Sequence, residues 1–175
     1  MESLGTLQEA SRKVLRDTRR CLAVVRSISS QRVANAEQGV AVLRRLRHEV
    51  YEDLNQIQHE HLVIQAAQWL VENNQCPAST QWRWNPRQTG TANEPDLEGR
   101  IGTRVIVSAE ITTSERPIGI IDTRMAKVLQ KLAAGLGRRY YFVCSEPMFK
   151  RAETKVTRAG WSITVVRLPS DIHAS

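Results

Sequence analysis

Apolar residues at Leu7, Ala10, Val14, Thr18, Cys21, Leu22, Val25 and Ile28 follow helical spacing. That period predicts an amphipathic helix, which Ser29-Ser30 interrupts. A second helical stretch over 34–57 carries Val40, Leu43, Leu46, Val50, Leu54 and Ile57 as one stripe, with Arg44, Arg45, Arg47, Glu49, Glu52 and Asp53 on its other faces. Together the two helices form a hairpin that cannot bury both stripes by itself. They are expected to pack on the rest of the chain or on another subunit. A third helix, Glu60–Asn74, is apolar nearly all round and suits burial against a sheet. Asn73-Asn74 and Cys76-Pro77 stop it.

Beyond this point the period falls to two. Thr80–Trp84 alternates as a strand and ends at Asn85-Pro86, and the polar run Gln88–Asn93 predicts a loop. Pro95–Ile101 reads as a short strand before a turn at Gly102. Arg104–Thr113 is β-branched and nearly uninterrupted, the strongest strand in the chain. A helix over 119–134 follows, with Ile121, Met125, Val128, Leu129 and Leu132 inward and Gly135 and Gly137 as stops. Tyr140–Cys144 is continuously apolar, as a strand buried on both faces is. Glu146-Pro147 opens a last helix that Gly160 ends, and Trp161–Leu168 is a final strand closed by Pro169. The sum is an αβββαβαβ domain over 59–175, a mixed sheet flanked by helices, behind an N-terminal helical hairpin over 1–58.

Composition sharpens this only modestly. With 175 residues, 41% hydrophobic and 25% charged, the chain can build a core and is not expected to be disordered. Twenty-five Lys+Arg against 18 Asp+Glu give +7, which favours a polyanionic partner such as nucleic acid. Cys21, Cys76 and Cys144 are odd in number and far apart, so a disulfide framework or zinc ribbon is not expected and a reducing cytoplasm is. The first residues lack the apolar stretch of a signal peptide, and no run approaches the ~20 apolar residues of a membrane span. A soluble, cytoplasmic protein without membrane partners is the expectation.

Candidate chemistry lies on the strands. Alternation along 104–113 puts Val105, Val107, Ala109 and Ile111 on one face and Ser108, Glu110 and Thr112 on the other. A carboxylate on such a strand is costly unless it meets a partner or a metal. Asp96 lies on the preceding short strand, which a meander sets alongside. Two carboxylates so placed suit Mg²⁺, with Mn²⁺ as substitute, because Mg²⁺ takes few protein carboxylates and keeps water and phosphate oxygens.

Pro95-Asp96, followed after 13 residues by Glu110 on the next strand and set in this element order, resembles the PD-(D/E)xK nuclease superfamily over about Glu60 to Leu168. That resemblance implies metal-dependent hydrolysis of DNA phosphodiesters, of the restriction or defence kind. Asp96 and Glu110 would be metal ligands and Glu60 an outer-shell carboxylate. The chain departs from the pattern at Thr112, where the family has its lysine. Either the cation has moved to the following helix, where Arg124, Lys127 and Lys131 share a face, or the site is silent and the domain binds nucleic acid or a partner subunit. Arg83, Arg87, Arg124 and the Thr112 hydroxyl are the candidate contacts to the DNA backbone. Trp82 and Trp84 are equally well explained by packing. His59 and His61 stand on different helix faces and are not expected to form a zinc pair. The resemblance also implies action on two strands, and the hairpin offers a surface for a homodimer or hetero-oligomer.

Overall fold

A computed structural model of the chain describes residues 1–86 and 94–169. Strand β1 (Glu2–Ser3) precedes two long helices, α1 (Leu7–Ser29) and α2 (Ala36–Glu72). The remainder alternates: β2 (Gln81–Trp84), β3 (Leu97–Ile101), β4 (Arg104–Thr112), α3 (Ile120–Ala133), β5 (Arg138–Val143), α4 (Glu146–Ala159) and β6 (Thr164–Arg167). All six strands form one sheet in sequential order. From β1 to β4 the pairing is antiparallel, and β4–β5 and β5–β6 are parallel. The protein is therefore a mixed α/β fold with its long helices at the N-terminus.

Local chemistry marks the ends of these helices. Thr6 and Glu9 make a reciprocal capping box on α1, Asn35 caps α2 and Ser145 caps α4. Gly160 ends α4 in the left-handed conformation, φ +66°. At Gly137, φ is +69° and an added Cβ would lie 2.5 Å from the Ile106 carbonyl carbon, so only glycine lets β5 start this close to β4.

The sheet separates two cores. On one side Val63, Ala66, Ala67 and Leu70 of α2 pack over Leu97, Val107, Ala109, Tyr140 and Phe142, with Ala10 and Val14 of α1 closing the layer. On the other, Met125, Leu129 and Leu132 of α3 and Met148, Ala152 and Val156 of α4 cover Tyr141, Val143 and Val165. Both Trp82 and Trp84 are buried in the first core, so packing accounts for them. No helix among the described residues is long and apolar enough to cross a membrane.

Several expectations need correction. The helices expected over 34–57 and Glu60–Asn74 are one 37-residue helix, α2. No Gly or Pro interrupts 55–62, and Gln56 hydrogen-bonds Glu60 one turn on at 3.1 Å, so the helix runs on there. The hairpin and the α/β domain are consequently continuous through α2 across residues 58 and 59. The expected single stripe also divides: Val50 is buried and Leu46 and Ile57 partly so, whereas Val40, Leu43 and Leu54 are exposed. Strand β1 was not foreseen, since two polar residues carry no periodic signal. Strands β3 and β6 begin later than expected, at Leu97 and Thr164.

One ion pair ties the hairpin to the domain. Lys13 of α1 donates to Glu60 at 2.6 Å and to Asp17 at 2.9 Å, and its ammonium lies 5.6 Å from the Trp84 ring centroid. The Glu60 side chain is 2% exposed, so its charge depends on Lys13. Lys13→Met should destabilise the fold by about 3 kcal/mol by leaving a buried carboxylate unpaired. Adding Glu60→Leu should recover most of that loss in a denaturant-melting double-mutant cycle.

Candidate active site

Register creates the site. Leu97 pairs with Ala109 across antiparallel β3 and β4, so Asp96, one residue before β3, stands opposite Glu110 in the middle of the sheet. Their exposures are 6% and 5%. The backbone N–H of Ile111 donates to Asp96 Oδ2 at 2.8 Å and fixes that carboxylate against the end of β4. The sequence placed Asp96 within a strand. It lies instead at the strand's entrance, where the backbone turns from Pro95 and its side chain can reach past β4.

Two basic side chains face the pair. Lys131, on α3, holds its ammonium 2.5 Å from Glu110 Oε1 and donates to the Glu94 carbonyl at 3.0 Å. His59, on α2, brings Nε2 to 3.3 Å from Asp96 Oδ2. Burial and the charge of Asp96 push Glu110 up to about 8, against the opposing pull of Lys131. His59 is raised from its ordinary value: burial opposes its charged form, and Asp96 outweighs that penalty. Tyr141 pairs with Glu110 across β4 and β5 and is raised by burial and by the neighbouring carboxylates.

An open cleft of about 140 Å³ leads to these groups, lined by His59, Asp96, Glu110, the 111–114 strand end, Tyr141 and the first turns of α3 with Arg124. The expected residues divide accordingly. Asp96, Glu110, Thr112 and Arg124 line the cleft, and Lys131 reaches Glu110 from an adjoining pocket that it shares with Pro95, Glu98 and Ser108. Lys127 does not: it is exposed and turned about 40° further toward solvent around α3 than Lys131. Glu60 also lies apart, because Lys13 and Gln56 occupy its two oxygens. Neighbouring helical residues diverge by about 100°, so where His59 faces the sheet Glu60 faces α1. Arg83 spends its guanidinium on the Met1 carbonyl at 2.7 Å, tying β1 to β2. Arg87 lies outside the described residues.

His59 is the residue that sequence reasoning missed. Weighing it only as a zinc partner of His61 hid a simpler signal: His59 stands four residues before Val63 and continues the buried Val63–Ala66–Leu70 face down to the sheet's edge. Glu98 was also passed over. It shares the face of Glu110, next to Ser108, and its charge is met by Arg100 at 2.5 Å.

The donor set suits a hard divalent cation. Among the described residues no three His, Cys, Asp or Glu side chains form a ready metal cluster. Mg²⁺ requires only one or two protein carboxylates, the rest of its shell being water and phosphate oxygen. Asp96 and Glu110 supply that number in a cleft with room for the other ligands, and Glu110 Oε1, although close to Lys131, has no aligned hydrogen bond.

The shifts set a pH dependence. Glu110 is raised, so the folded state keeps a proton that the unfolded chain loses near pH 4.5, and stability falls as pH rises from there to about 8. His59 is also raised, and its contribution, full below its unfolded value near 6.5, is likewise lost on going up. Melting temperature should therefore fall steadily from about pH 5 to pH 8. Glu110→Gln should flatten that slope, and millimolar Mg²⁺ should flatten it by taking the place of the proton. No family model, characterised protein or solved structure matches the chain, so its functional reading rests on this cleft.

Proposed function

We propose that the chain is a divalent-metal-dependent endonuclease that hydrolyses DNA phosphodiesters, on a restriction-endonuclease-like αβββαβαβ frame. One observation carries the reading: the ammonium of Lys131 lies 2.5 Å from Glu110, supplying from α3 the cation that the PD-(D/E)xK pattern has where this chain has Thr112. Asp96 and Glu110 would hold Mg²⁺ or Mn²⁺. When bound, such a cation polarises the phosphate and lowers the pKa of a water.

The other roles fall to side chains already placed. The Ile111 N–H would hold Asp96 in position, with His59 Nε2 beside it at 3.3 Å. Lys131, whose ammonium contacts Glu110, would orient water and offset charge building on the phosphoryl oxygens. Arg124 on the rim and the Thr112 hydroxyl are placed to contact a phosphate entering the cleft. The net charge of +7 favours a polyanion. Cutting two strands calls for a second site from another copy, or for two successive nicks.

A second reading is a silent module that binds nucleic acid without cutting. It is favoured by the contact between Lys131 and Glu110, which leaves the carboxylate neutralised before any metal arrives. Supercoiled plasmid incubated with Mg²⁺ or Mn²⁺ separates the two. Nicking is expected, absent in EDTA and in Asp96→Ala or Glu110→Ala. Lys131→Ala should lower the rate at least ~100-fold, the scale of losing one charge-stabilising donor. Lys127→Ala should leave the rate near the parent's. Metal-independent plasmid binding without nicking would establish the silent module instead.

A further inference from the structure

The hairpin has a second face that the domain does not cover. Lys13–Glu60 at 2.6 Å and Arg20–Asp53 at 3.9 Å show α1 and α2 running antiparallel. Their mutual contact uses Val14, Cys21 and Ile28 of α1 and Val50 of α2, all buried. Beside that contact each helix carries a ridge at three- and four-residue steps, centred about 140° round on α1 and about 60° round on α2. On α1 it is Arg12, Leu15, Arg19, Leu22 and Arg26, and on α2 it is Val40, Leu43, Arg47, Tyr51 and Leu54. The turn has the same sense on both helices, and because the helices are antiparallel both ridges lie on one side of the hairpin.

Every residue of both ridges is exposed, Leu43 at 64% and Tyr51 at 59%. The apolar members leave on the order of 600 Å² uncovered, the upper end of what a monomer tolerates as one patch. The charge is one-sided. Neither ridge holds a carboxylate, and among the described residues no carboxylate lies within 4 Å of Arg12, Arg19, Arg26 or Arg47. Of the hairpin's acids, Glu49 pairs with Arg45, Asp17 with Lys13 and Arg20, and Asp53 with Arg20, while Glu52 lines a shallow pocket with Arg44, Arg47, His48 and Tyr51.

We infer that this groove docks an acidic amphipathic helix of a partner protein, about four turns long, as the third helix of a bundle. Its leucine-type residues would fill the spaces beside Leu15, Leu22, Leu43 and Leu54, and its carboxylates would meet the arginines between them. A second copy of this chain fits poorly, since it would bring arginines against arginines with no acid on either face. DNA leaves the leucines uncovered. Arginine and tyrosine without lysine, aspartate or glutamate is the composition of a protein interface core. The inference is independent of the nuclease reading, because none of these residues lies at the cleft.

Calorimetric titration of the full chain tests it. The probes are a synthetic amphipathic helix with a leucine seam flanked by glutamates, the same peptide with lysines for glutamates, a short DNA duplex, and phosphatidylglycerol vesicles. The expected result is saturable one-to-one binding of the Glu/Leu peptide, weakened at least ~10-fold by Leu43→Ser. In the double variant Arg19→Glu/Arg47→Glu, preference should invert to the Lys/Leu peptide, a swap that loss of folding cannot mimic. The inference is overturned if the parent binds both peptides alike, or if neither ridge variant changes peptide binding. It is equally overturned if Leu43→Ser abolishes only vesicle binding, only duplex binding or only self-association.

Discussion

Two carboxylates face each other in the interior of a sheet, and much of this molecule can be understood as the means of keeping them there. Asp96 and Glu110 are opposed by the pairing of Leu97 with Ala109, a register that cannot slip by one residue without turning the β4 core residues outward. Left alone, the pair would be too costly to bury. The fold answers with a basic side chain from each side: Lys131 comes from α3, after β4, and His59 from α2. The residual imbalance shows as a proton retained at Glu110. A site that stores a proton between opposed carboxylates is one where a divalent ion has a natural place.

Helix α2 carries consequences from one end of the molecule to the other. Its C-terminal half is buried on the sheet, its middle presents His59 to the cleft and Glu60 to α1, and its N-terminal half leaves the domain as one arm of the hairpin. Glu60 and Lys13 make the fixed point where the arm meets the body. The surface beyond that point, apolar and lined with arginines, is joined to the cleft-bearing domain by a single uninterrupted helix.

Much of this was legible before any coordinates. The strand 104–113, the division of its residues between two faces, α3, α4 and the adjacency of Asp96 and Glu110 all followed from period, glycine stops and strand alternation. The unbroken course of α2 did not, because the apolar stripe shifts face where the helix passes from α1 to the sheet, and a shifting stripe resembles two helices. The roles of Glu60 and His59 were exchanged for a related reason: a rotation of about 100° decides which of two neighbours points inward, and sequence fixes that rotation only once the whole helix is in register. Lys131 and Lys127 were separable only by the packing of α3, and the tie between Arg83 and Met1 depends on a two-residue strand that no pattern announces.

The account stands or falls on whether the two carboxylates hold a divalent cation in place of a proton. Mn²⁺ titrated into the protein near pH 7, in two buffers of different ionisation enthalpy, reports binding and proton release together. The account predicts one ion per chain, with about one proton released as the raised Glu110 gives up its hydrogen, and loss of both signals in Asp96→Ala. Absence of binding at millimolar Mn²⁺, or binding that Asp96→Ala leaves untouched, would contradict it.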